Sequence, residues 1–260
     1  MNCYPVIKGK IIGEGKPKIC VPLMGADDET LLKEAAFICD AAKTTTIDIV
    51  EFRADYYKKL NDFSALKEIL NKLREKLEAF ILLFTIRSER EGGEKLLFST
   101  PSVNEVNRFV IENRLADIVD IELFSGDEVS SLVSLAKENS VKVIMSNHDF
   151  KTTPCLDEII NRLVRMQTLG ADIAKIAVMP EDEGMLIRLL EATTIMKKEH
   201  NETPVVAIAM GGLGAVSRMA GQVFGSAISF ATVGEASAPG QLKAEDLNTM
   251  FDIIDKYCRI

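Results

Sequence analysis

The chain has 260 residues, 47% of them hydrophobic, and its 31 Lys+Arg against 39 Asp+Glu leave a formal charge of −8. No lysine- or arginine-rich block offers the concentrated basic footprint that a nucleic acid or an anionic membrane surface requires, so both are excluded as partners and small molecules are left. The opening residues lack a signal-peptide core, and apolar runs such as residues 79–84 are too short to span a bilayer, so the chain reads as cytoplasmic.

Five scattered cysteines without a C-x-x-C pair suggest neither a disulfide framework nor a zinc site, and they read as free thiols. Residues 6–17 read as two short strands around Gly9, a hairpin placed to plug the N-terminal mouth of a barrel. Eight β-branched runs then begin near Lys18, Asp48, Ala79, Asp117, Val141, Asp172, Pro204 and Ala227. Their starts lie 23 to 38 residues apart, room each time for a strand, a helix and two loops. Helical spacing fills the gaps at 30–42, 62–77, 102–113, 127–139, 156–169 and 183–199, and again at 243–257. The runs are apolar on both faces, as parallel strands covered on each side must be. The expected architecture is an α/β fold, a (β/α)8 TIM barrel with the N-terminal hairpin closing its bottom, and no linker divides residues 1–260 into more than one domain.

Barrels place chemistry at the C-terminal ends of their strands, and polar residues there single themselves out. Glu51 and Arg53, two apart, share the inner face of the second run; taken alone they read first as a buried structural ion pair. Arg87 ends the third run, and the Gly92-Gly93 pair permits a sharp turn that brings Glu91 back beside it, although such a charged loop is often a solvated turn. His148 ends the fifth run, where an imidazole suits general acid–base work. His200, the only other histidine, lies in a polar helix end and reads as surface.

Lys175 interrupts an otherwise apolar strand near its middle. Desolvation and nearby arginines would leave enough neutral amine to attack a carbonyl; the alternative is an ion-paired interior lysine with Glu51 as partner. Gly211, Gly212 and Gly214 open a helix carrying Arg218, an arrangement suited to an anion, though glycine turns after barrel strands are common. Residues 234–241 form a small, polar stretch that reads as a closing lid or simply a flexible loop.

These segments together resemble the type I 3-dehydroquinate dehydratases. The likeness runs nearly the whole chain and rests on E-F-R-A-D (Glu51, Arg53), I-R-S-E-R-E-G-G (Arg87, Glu91), S-N-H-D-F (His148), A-K-I-A-V-M-P (Lys175), M-G-G-L-G-A-V-S-R (Arg218) and A-S-A-P-G-Q (Ser237, Gln241). The resemblance implies a lyase that dehydrates 3-dehydroquinate to 3-dehydroshikimate by syn elimination through a Schiff base on Lys175, in the shikimate route to aromatic amino acids. By the same likeness His148 is the general base and Glu91 its orienting carboxylate. Glu51 and Arg87 hold substrate hydroxyls and shape the charge around Lys175, and Arg218 grips a carboxylate. Ser237 and Gln241 belong to a mobile loop, and Arg53 is a pocket residue without a separate role. No metal or organic cofactor is implied, and the family suggests a homodimer. Competing readings are a class I aldolase whose glycine turn at 211–214 holds a phosphosugar, and a barrel kept as a binding module.

Overall fold

A computed structural model describes residues 4–95, 102–234 and 240–258. At the N-terminus β1 (Val6–Ile7) and β2 (Lys10–Ile11) pair antiparallel. Lys8 and Gly9 between them both take positive φ, 46° and 77°, the backbone that a tight hairpin demands and that glycine adopts freely.

Eight parallel strands follow, β3 (Lys18–Leu23), β4 (Ile49–Arg53), β5 (Ile81–Thr85), β6 (Ile118–Glu122), β7 (Lys142–Asp149), β8 (Ile173–Val178), β9 (Val205–Ala209) and β10 (Ile228–Thr232). From β3 to β9 each pairs with the next in sequence, and β10 returns to pair with β3. The last seam, between β9 and β10, is thin: a bridge joins Val205 to Ser226, and the Ala227 N–H donates to the Val205 carbonyl at 2.7 Å. A short ninth strand, β11 (Leu242–Lys243), extends β10 outside the ring. The expected barrel and hairpin are therefore both present.

Apart from β3, the strands begin one or two residues after the apolar runs of the sequence, in three cases for a visible physical reason. Asp48, Asp117 and Asp172 each precede a strand and turn a carboxylate oxygen onto the neighbouring strand's backbone, accepting the N–H of Ile19, Leu82 and Val143 at 2.8 to 2.9 Å. Asp48 and Asp117 also anchor the hairpin through Lys10 (2.6 Å) and Lys8 (3.1 Å). Ile7 and Ile12 thereby join Ile49, Ile81, Ile118, Ile144, Ile173 and Ile228 in an apolar cluster that fills the barrel's lower interior.

A separate apolar layer lies between the strands and the helices α1 (Asp28–Ala41), α2 (Phe63–Lys76), α3 (Val103–Glu112), α4 (Val129–Glu138), α5 (Leu156–Thr168) and α6 (Glu183–Glu199). Asp27, Asp62 and Asp182 cap helix N-termini with their carboxylates, and Ser102 with Glu105 forms a capping box, so several helix starts are written in the sequence. After β9 the helical layer is made of two short pieces, α7 (Ala215–Met219) and α8 (Gly221–Phe224), before α9 (Ala244–Cys258) closes the chain. Among the described residues no helix is long and apolar enough to cross a membrane.

Candidate active site

Above the isoleucine layer the barrel interior becomes polar. A cavity of about 230 Å³ opens at the C-terminal end of the strands, and Glu51, Arg53, Arg87, Glu91, His148, Lys175, Arg218 and Gln241 all line it. Ser237 lies outside the described residues.

Pleating puts Glu51 and Arg53 on the inner face of β4, but they do not pair with each other as the simplest sequence reading suggests. A 3₁₀ turn at Ala54–Tyr56 swings Asp55 under Arg53, which grips it through Nε (2.9 Å) and Nη2 (2.8 Å) and lies over the Tyr56 ring. Glu51 instead accepts the Thr85 hydroxyl at 2.9 Å from the neighbouring β5.

Arg87 is the hub of the cavity floor. Its Nη1 donates to Glu122 (3.1 Å) and to the Ser146 hydroxyl (2.8 Å), its Nη2 to Asp120 (2.8 Å), and Ser146 in turn donates to Asp120 at 2.6 Å. Burial opposes the charge on Arg87, but Asp120 and Glu122 outweigh it and hold the guanidinium protonated. Lys175, 3% exposed, projects from β8 with Nζ 3.8 Å from Asp120 and 4.1 Å from the Phe230 ring centroid. Its nearest carboxylate is therefore Asp120 and not Glu51. Desolvation lowers the Lys175 pKa and Arg87 adds to the drop, while Asp120 and Glu51 oppose it. For Asp120 burial favours the neutral acid, yet Arg87 and Lys175 with the Ser146 hydrogen bond hold it below the ordinary carboxylate range.

The loop after β5 delivers Glu91. Ser88 accepts the Glu91 N–H, a single 3₁₀ turn spans Glu89–Glu91, and Gly92 leaves it with a φ of 83°. A side chain at Gly93 would collide with the Arg87 carbonyl, so the second glycine lets the loop fold directly back over its own strand. Glu91 is thus buried beside Arg87, as the glycine pair suggested, with Arg87 Nη1 at 3.6 Å. One oxygen, Oε2, meets both the His148 backbone N–H (2.9 Å) and His148 Nδ1 (3.0 Å). Because that oxygen already accepts a backbone N–H and faces Arg87, it acts as an acceptor toward the ring, which puts the proton on Nδ1 and leaves Nε2 as a base. Burial drives the His148 pKa well below its ordinary value, with Arg87, Lys175 and Arg53 adding to the effect. Burial and then Glu122 push Glu91 up to about 7 against the pull of Arg87.

Arg218 differs from the other buried cations. It leaves α7 to enter the cavity wall beside β10, donates Nη1 to the Phe230 carbonyl at 3.2 Å, and has a buried Nε without a partner. Among the described residues no carboxylate pairs with it, and burial alone lowers its pKa to about 10. The turn before it is tight at Gly214, where a side chain would strike the Ala209 carbonyl.

Sequence reasoning overlooked Asp120, Glu122, Ser146 and Phe230. The signal was present for the two acids: Asp120 and Glu122 break an apolar strand at inward-facing positions just as Lys175 does. Among the described residues no cluster of three or more His, Cys, Asp or Glu side chains is arranged to ligate a metal.

Fold and site define a class: an α/β barrel with a desolvated lysine at its centre and a carboxylate-anchored imidazole at its mouth. Residues 19–257 match the family described as type I 3-dehydroquinase, and the chain belongs to that family. It is 47% identical to the 3-dehydroquinate dehydratase of Bacillus subtilis (strain 168), over 97% of this chain and 98% of that protein. Identity to the enzyme of the same name from Clostridioides difficile (strain 630) is 43%, over 96% of each. A crystal structure of type I 3-dehydroquinate dehydratase from Clostridium difficile with covalent modified comenic acid superposes with a TM-score of 0.92 at 42% identity, covering 98% of this chain and 99% of that one. These likenesses set aside the aldolase and binding-module readings.

Proposed function

We propose that this chain is a hydro-lyase that converts 3-dehydroquinate to 3-dehydroshikimate through an imine on Lys175. The observation that carries the reading is Lys175 itself, an amine stripped of water inside a barrel and lining the same cavity as His148. Desolvation supplies the neutral nucleophile. The amine adds to the substrate ketone, and loss of water gives a protonated imine. His148 Nε2 then takes a proton from the adjacent carbon, and the electron pair moves into the iminium to give an enamine. When the pair returns, the β-hydroxyl leaves, taking its proton from the same imidazole and departing as water. Hydrolysis of the conjugated imine frees the enone and regenerates Lys175.

One base serving one face of the ring accounts for syn elimination. Glu91 keeps that base in the right tautomer. Arg218, buried with no acid partner among the described residues, is suited to the substrate carboxylate. Glu51 and Arg53 line the cavity from β4 toward the ring hydroxyls, and Gln241 lines it from the far side, while Ser237 lies outside the described residues. Arg87, engaged by three carboxylates and a serine, contributes chiefly by setting the charge around Lys175. The covalent ligand in the Clostridium difficile relative supports a nucleophile in this cavity. Family membership supports one catalytic domain, a homodimer and a cytoplasmic, biosynthetic setting; analytical ultracentrifugation tests the dimer.

The decisive experiment is borohydride reduction in the presence of 3-dehydroquinate, with peptide mapping, beside an ultraviolet assay for the enone. An adduct on Lys175 together with enone is expected. Enone without an adduct overturns the lysine mechanism, and neither signal overturns the reaction.

A further inference from the structure

Glu91 presents two oxygens, and only Oε2 is used by His148. Its Oε1 accepts from Asn147 Nδ2 at 3.2 Å, and Asn147 is a buried residue whose amide lies behind the site. The carbonyl of that amide accepts from Arg162 Nη1 at 2.8 Å. Arg162 belongs to α5, outside the barrel, and is itself fixed by a bond from Nε to Glu158 at 2.7 Å and by the face of Phe124, 5.8 Å away.

Chemistry leaves this chain one orientation. A guanidinium has only donors, so the amide edge toward Arg162 must be oxygen and the edge toward Glu91 must be the NH₂ group. A reversed amide would set NH₂ against guanidinium and carbonyl against carboxylate, losing both bonds at once.

We infer that Asn147 and Arg162 are positioning residues for the imidazole: Arg162, from the outer helix layer, fixes the Asn147 amide, the amide fixes the rotation of the Glu91 carboxylate, and the carboxylate holds His148 with its proton on Nδ1. Neither residue lines the cavity, so neither touches substrate. The remaining groups about Glu91 do not duplicate the restraint. Arg87 approaches Oε2, the oxygen already engaged, Arg90 stands 3.9 Å from Oε1 on an exposed side chain, and Glu122 and Asp120 repel rather than anchor it. The catalytic part of this inference rests on the proposed dehydratase reaction; the tautomer part stands without it.

The test uses the scarcity of histidine, since only His148 and His200 contribute to a ¹⁵N-histidine spectrum. In the unmodified protein His148 should show a protonated Nδ1 and a bare Nε2. Arg162→Met should leave mixed tautomers and lower kcat about 10-fold, the scale for loss of an outer partner of a working group, with KM nearly unchanged. Arg162→Lys, which can still donate to the amide, should recover most of both. Asn147→Leu should match Arg162→Met, and the double variant should be no worse than either single one. The inference is overturned if Arg162→Met keeps a clean Nδ1–H tautomer, or if its loss of kcat comes with an equal rise in KM, or if the two substitutions multiply. Arg162 is on α5, away from the barrel interior, so its variants decide the matter even where Asn147→Leu fails to fold. Absence of enone from the unmodified protein would instead fault the proposed reaction, leaving the spectrum to judge the relay.

Discussion

Replacing Arg218 with Met should make the protein more stable and its substrate binding worse. The guanidinium is 3% exposed, has no acid partner among the described residues, and is held down to about 10 by burial. A fall of that size means that folding is opposed by on the order of 3 kcal/mol wherever the group is charged in both states. The sign follows from proton binding: the folded chain binds this proton less tightly than the unfolded one, so the penalty is fully present below about pH 10 and is relieved only above it. Methionine keeps the apolar stem and removes the charge, while forfeiting the bond to the Phe230 carbonyl, worth about 1.5 kcal/mol. The net gain of about 1–2 kcal/mol corresponds to a rise in Tm of roughly 2–4 °C for a chain of this size. Loss of charge-assisted bonds to a carboxylate should raise KM roughly 10- to 100-fold. Differential scanning calorimetry at neutral pH and steady-state enone formation measure the two effects. A lower Tm would show that the arginine is compensated in the free protein, and an unchanged KM would remove it from anion binding.

Lys175→Ala should abolish borohydride trapping and nearly all turnover, whereas His148→Ala should still trap substrate but lose about 10²–10⁴-fold in kcat, the usual scale for a general base; a His148→Ala enzyme with ordinary kcat would transfer that role elsewhere. Glu91, raised to about 7 by burial, is protonated in the folded state at pH values where the unfolded chain is already ionised, so its contribution to stability declines as pH climbs from about 4.5 through 7. The working arrangement needs the ionised carboxylate, so kcat/KM should fall on the acid side with a midpoint near 7, and Glu91→Gln should lower kcat/KM and move that limb downward; a limb that stays at 7 in Glu91→Gln excludes Glu91 as its source. Asp120→Asn should cost about 3–5 kcal/mol by leaving Arg87 and Lys175 less compensated, a fall of about 10 °C in Tm. It should also shift Lys175 trapping to lower pH, and a trapping profile that does not move would show that Asp120 does not govern the amine.

Strands and their facing are legible in the sequence because a pleat has a period of two and an interior layer tolerates few polar residues. That logic places Glu51, Arg53, His148 and Lys175 inward from the sequence alone, and Asp120 and Glu122 are open to the same treatment. Pairing across strands is not legible. Lys175 neighbours Asp120 rather than Glu51, and Arg53 turns to Asp55, because such contacts depend on how the strands stagger around the ring and on a 3₁₀ turn that no apolar period announces. The split of the seventh helical layer into α7 and α8 and the two-residue β11 are equally hidden, being too short to carry a periodic signal. The Gly92-Gly93 turn is readable because glycine there answers a steric demand local to the loop.

The two halves of the barrel interior depend on one another. Below Lys175 the isoleucine layer, joined by Ile7 and Ile12 of the hairpin, is apolar apart from the Cys20 thiol among the described residues. Above it the carboxylates come from β4 to β6 and their loops, each committed to Arg53, Arg87, Thr85 or His148, while Arg218 stands toward β10 with no acid among the described residues. Compensated charge on one wall and an uncompensated cation on the other give the cavity a direction: a small molecule bearing one carboxylate gains most with that end at Arg218, which turns the rest of its ring toward Lys175 and His148. In the proposed reaction, orientation would come from the asymmetry of charge pairing, and nucleophilicity from the apolar floor. The hairpin, remote from the chemistry along the chain, belongs to that floor.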